Sequence, residues 1–181
     1  YMPLLAVAAI SLMTAMNDMT APSVSLEGKN LWIVQSLPVS GKQVLRAKLE
    51  LQLLLTGIPA IPLLLVVEWL LKPDLLQGIF IPAVSAVFVA LMAEIGLAIN
   101  LKIPNLHWTS EIVPIKQSVP VMAALFGGWL MIVLFAGAYA LLKNVVGVNV
   151  FLALLCVVLC IATGGLDRWL MTKGAKIFET L

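Results

Sequence analysis

Charge is scarce in this 181-residue chain. Asp, Glu, Lys and Arg together make up 11% of it, where soluble domains carry about a quarter. That leaves too little polar surface to cover a water-soluble globule of this length. Histidine occurs once, as His107, and cysteine twice, as Cys156 and Cys160. A metal site built on them would lack a third ligand, and two cysteines make no disulfide framework. Spaced i and i+4 within an apolar run, they read as small residues at a helix contact. Neither a metal nor a cofactor is therefore expected. Aromatic residues are scarce, at 7%. No basic patch is interleaved with them, which excludes a nucleic-acid-binding surface.

What is present is hydrophobic sequence in long runs. The chain is 62% hydrophobic, with a mean hydropathy of +1.09. The runs are too long and too continuous for barrel strands. The expected fold is an all-α membrane protein: a polytopic helical bundle of about five transmembrane helices, at 2–16, 51–71, 75–99, 119–142 and 148–166, forming a single transmembrane domain over 1–181. The first run is about 15 residues, or about 22 Å of helix, short of the roughly 20 residues a span requires. The chain starts with Tyr1 and reads as the C-terminal part of a longer protein, cut inside a helix. Pro59 and Pro62 lie inside the second run and should kink it.

The longest polar interruption is the segment 17–50, a helical elbow between the first two runs. Its core, 25–48, holds Lys29, Lys42, Arg46 and Lys48 and reads as two short helices broken at Pro38. Ser40 followed by Gln43 has the spacing of a capping box, so the second should begin near Gly41. Wound as a helix, 26–37 places Leu26, Leu31, Ile33, Val34 and Leu37 on one side and Gly28, Lys29, Gln35 and Ser36 on the other, with Trp32 among the latter. Two readings of Trp32 stay open: an anchor at the lipid headgroups, and a protein-docking contact. A second polar segment occupies 100–118, and a polar tail follows Leu166. These three regions hold nine basic residues, and the opposite side holds Lys72 and Lys143. That asymmetry predicts a cell-membrane, multi-pass protein with the elbow and C-terminus in the cytoplasm.

The elbow residues Glu27, Gly28, Lys29, Trp32, Ser36, Leu37, Pro38, Val39, Ser40, Lys42, Ala47 and Lys48 form a pattern that resembles the cytoplasmic loop of bacterial ABC exporter permeases. The second segment resembles the same family through Asn100, Leu101, Pro104, Trp108, Glu111, Lys116, Gln117 and Ser118. The resemblance implies the membrane-spanning permease subunit of an ATP-driven exporter in a bacterial inner membrane. It would not itself be an enzyme, and ATP would be hydrolysed on a separate cytosolic ABC ATPase. The implied docking face is Glu27, Gly28, Lys29, Trp32, Gln35 and Ser36. The lipid bilayer and a second permease copy are the other implied partners. Gly41-Lys42 resembles the end of a Walker A loop, but Gln43 stands where Ser or Thr is required and Ser36 where the leading glycine is required.

Glu94 is the one carboxylate well inside an apolar run. A charge at the centre of a span costs about 2.5–3.5 kcal/mol on insertion scales. It is either a proton or cation site, which would suit an ion-coupled secondary transporter, or a carboxylate hydrogen-bonded to a neighbouring helix near the interface. An intramembrane enzyme is the third class, although no Ser/His pair, Asp pair or metal cluster supports it. Ala124 and Gly128, four apart, suit close helix packing.

Overall fold

Apolar runs this long have one inexpensive way to satisfy their backbone, which is to coil. The computed structural model describes residues 1–110, 112–116 and 118–181, and among these every regular element is helical, with no strand. The order is α1 (Met2–Ala15), a 3-10 turn (Ser25–Asn30), α2 (Leu31–Ser36), α3 (Gly41–Leu71), α4 (Leu75–Lys102), α5 (Ile112–Lys116), α6 (Val119–Leu142), α7 (Val148–Trp169), a π-helical turn (Leu170–Gly174) and α8 (Ala175–Glu179). Among the described residues, four helical stretches, those containing α3, α4, α6 and α7, are long and apolar enough to cross a membrane. The expected count of about five is not confirmed, since α1 has 14 residues, about 21 Å of helix. α3 continues through both Pro59 and Pro62.

The bundle is organised around α4. Its residues 91–94 and 96–98 are buried in succession, so more than one face is covered. α7, α1, α3 and α6 all pack against it. One apolar core lies mid-bundle, where Ile81, Val84 and Phe88 of α4 meet Ile10 of α1 and Leu152 and Leu159 of α7. A second lies at one end, where Leu97 and Leu101 meet Val24, Leu45, Leu170 and Phe178. α6 approaches closely because its contact positions are small. Ala124 and Gly128 are buried, and a Cβ added at Gly128 would sit 2.8 Å from Met92 Cε and 3.0 Å from Ala15 Cβ. The outer faces of α3 and α6 expose Leu54, Ile58, Ile61, Leu65, Leu130, Val133 and Leu134, a belt that suits lipid rather than water.

The elbow is not one helix over 26–37. Gly28 has φ +49° and ψ −127°, the conformation of the first central residue of a type II′ turn, which glycine adopts without strain. The chain turns there, and α2 begins afresh at Leu31. The apolar stripe expected of a continuous helix is accordingly split. Leu31 is buried, Leu26 and Val34 are half-buried, and Ile33 and Leu37 are exposed. α3 starts at Gly41, with Gln43 Oε1 accepting the Ser40 amide at 2.9 Å.

Candidate functional site

Two polar features lie at the elbow end of the bundle: a cap made by the loop segments, and a cleft beneath it. The cap is tied to α4 through Asn100, which is fully buried. Its Oδ1 accepts the amides of Val24 at 2.7 Å and Ser25 at 3.1 Å, while its Nδ2 donates to Ser25 Oγ at 2.7 Å. Ser25 Oγ also accepts the Asn105 amide at 2.9 Å, and Ser25 O accepts Trp108 Nε1 at 2.6 Å. The Trp108 ring lies on Gly28 so closely that an added Cβ would be 2.9 Å from Nε1. The two polar segments, far apart in sequence, therefore form one packed unit. The tail joins it. Gln35 Nε2 donates to Phe178 O at 2.8 Å, and Glu179 Oε1 accepts the Gly41 amide at 2.9 Å. At the Gly41-Lys42 pair, the Gly41 backbone amide thus faces a carboxylate.

This geometry sorts the six elbow residues singled out for docking. Glu27 and Gly28 face inward: Glu27 is ion-paired with Lys48, which also donates to Ser23 O at 3.0 Å, and Gly28 lies under Trp108. Lys29, Trp32, Gln35 and Ser36 are exposed, Trp32 at 65%, although the Gln35 amide is held by the tail. Glu111 and Gln117 of the second motif lie outside the described residues.

A further tie was not legible from spacing. Gln52 of α3 is buried; its Nε2 donates to Asn17 O at 2.6 Å, and its Oε1 accepts the Met19 amide at 2.8 Å. Beside it, Asp18 Oδ1 accepts the Thr20 amide at 3.0 Å, the Thr20 hydroxyl at 2.6 Å and the Ala21 amide at 3.2 Å. Asp18 Oδ2 is enclosed without a hydrogen-bond partner and lies against Gly96, where an added Cβ would be 2.8 Å from the carboxyl carbon. Burial pushes the Asp18 carboxyl above its ordinary 3.8, against the pull of the Thr20 and Ala21 hydrogen bonds.

The cleft lies between the first turns of α3, the last third of α4 and the end of α7. Its volume is about 320 Å³, and its lining includes Arg46, Glu50, Glu94, Thr163 and Asp167. Glu94 is 5% exposed, and its Oε2 has no hydrogen-bond partner. Among the described residues no side chain or backbone group hydrogen-bonds that oxygen. Among the described residues no His, Cys, Asp and Glu cluster could hold a metal ion.

The fold and cap define a membrane-type helical bundle with a braced polar cap at one end. A family model described as “Putative ATP-binding cassette” matches residues 2–163. The chain belongs to that family. No curated protein matches it, and no solved structure does. The match overturns the assignment as the permease subunit of an exporter coupled to a separate cytosolic ATPase. It overturns with it the expectation that the chain is not an enzyme, since ATP-binding cassettes usually hydrolyse ATP. The matched span contains both polar segments on which the permease resemblance rested. Those motifs therefore do not separate a permease from a cassette protein.

Proposed function

We propose that these residues are a membrane-embedded part of an ATP-binding-cassette transporter, and that the cap passes movement between the ATP-driven machinery and helices α3 and α4. The observation that supports this reading is the Asn100 anchor. It ties the elbow and the second polar segment to the central helix, so displacement of the elbow displaces α4. The contact face is the exposed set Lys29, Trp32 and Ser36, with Glu27 and Gly28 bracing it from beneath. The excess of basic residues at this end supports a cytoplasmic side for the cap and the C-terminus.

A photoreactive residue at position 32 of the full-length protein tests the contact. It should crosslink to polypeptide of the ATP-driven machinery, in the same chain or another, while one at Leu141 labels lipid. Trp32→Ala should lower ATP turnover by the transporter about tenfold at unchanged expression, the scale of losing a central aromatic anchor. Crosslinking of position 32 to lipid alone would make Trp32 a headgroup anchor and end this reading. For orientation, a cysteine at Asp74 in a Cys-free background should react with an impermeant thiol reagent outside intact cells, and one at Thr172 should not.

A further inference from the structure

The cleft under the cap has an uneven charge. Arg46 and Glu50 are paired with each other at 3.4 Å, one turn apart on α3. That leaves Glu94 and Asp167 as lining carboxylates with no second cation among the described lining residues to balance them. Glu94 is the more telling of the two, being 5% exposed with an oxygen lacking any partner. A buried carboxylate is costly unless something satisfies it, and nothing among the described residues does. The rest of the wall is apolar or small: Leu49, Leu53, Ala90 and Ala93, with Gly164 opening the α7 side. A cavity of about 320 Å³ is far too large for a bare ion, and pockets of a few hundred Å³ suit small organic ligands.

We propose that this cleft is a binding site for an organic cation with an apolar body. The positive group would sit between Glu94 and Asp167 and satisfy the unpartnered Glu94 oxygen, with Thr163 beside it. Its Oγ is likewise enclosed without a partner. The apolar body would lie against Leu49, Leu53 and Ala90. The site does not depend on how the cap engages the ATP-driven machinery, and it can be tested without nucleotide.

The test uses the full-length protein in a non-ionic detergent, with tetraphenylphosphonium as probe and tetraphenylborate as its control of similar shape and opposite charge. Saturable binding of the cation is expected, with no saturable binding of the anion. Glu94→Gln and Asp167→Asn should each weaken cation binding at least tenfold. Ala90→Phe, which fills the cleft and leaves every charge in place, should abolish it. Equal binding of both ions, no cation binding, or full binding by Glu94→Gln would overturn the proposal. Should Glu94→Gln not fold, Gly164→Cys with Cys156 and Cys160 replaced by Ala gives a second measurement. No heavy atom lies within 4 Å of a Cβ built at Gly164, so this substitution is sterically free. Tetraphenylphosphonium should slow its reaction with a maleimide at least fivefold. An unchanged rate would sink the site.

Discussion

Asn100 and Glu94 are polar side chains on the same helix, six residues apart and both buried, and they have opposite surroundings. Asn100 has its oxygen filled by two backbone amides and its amide nitrogen donated to Ser25 Oγ. Glu94 has an enclosed oxygen with no partner and opens on a cleft. Burial alone therefore does not say what a polar residue in such a bundle is for. A satisfied group fixes the structure around it, and removing it strands its partners. An unsatisfied oxygen holds no partner in place, and for Glu94 the proposed account of its burial is a bound ligand.

The largest effect should come from breaking the satisfied side. Asn100→Leu leaves the buried amides of Val24 and Ser25 without an acceptor, at about 1–3 kcal/mol each, so a loss of about 2–6 kcal/mol is expected in denaturant or thermal unfolding. A change below about 1 kcal/mol would mean that the cap is held by apolar packing alone.

Next in size is Gly28→Ala. The positive φ disfavours any side chain, and the new methyl would press on Trp108, so a loss of about 1–3 kcal/mol is expected. Trp108 fluorescence should shift to the red as the ring is displaced. An unshifted spectrum with full stability would remove Gly28 from the brace.

The legible part of this molecule was what composition and periodicity control. Long apolar runs imply helices, and scarce charge implies a membrane setting. Small residues at Ala124 and Gly128 imply a close contact. The break at Gly28 was hidden, because a helical wheel assumes continuity and cannot see one residue at positive φ. The Asn100–Ser25 and Gln52–Asn17 ties were hidden too. They join positions distant along the chain, and spacing carries no record of which polar group meets which. The resemblance of the polar segments to exporter permeases misled in a different way, since the same segments lie inside the span that matches a cassette family.

Smaller again is the effect of Asp18, whose surroundings fall between the two extremes, one oxygen filled and the other not. Its carboxyl is raised above 3.8 by burial. The folded state therefore binds the proton more tightly than the unfolded state. The stability this contributes is complete below 3.8 and is lost as pH rises through the raised value. Asp18→Asn should flatten that dependence: a melting-temperature profile from pH 4 upward should fall less steeply than in the parent. An identical profile would show that Asp18 does not carry it.

The contrast between the two sides of α4 is tested most directly by peptide-level hydrogen exchange in the parent, Asn100→Leu and Glu94→Gln. Asn100→Leu should accelerate exchange in the segment around Val24 and Ser25, whose amides lose their acceptor. Glu94→Gln should leave that segment at the parental rate. Parental exchange there in Asn100→Leu, or equal acceleration in Glu94→Gln, would contradict the assignment of one residue to the structure and the other to a ligand.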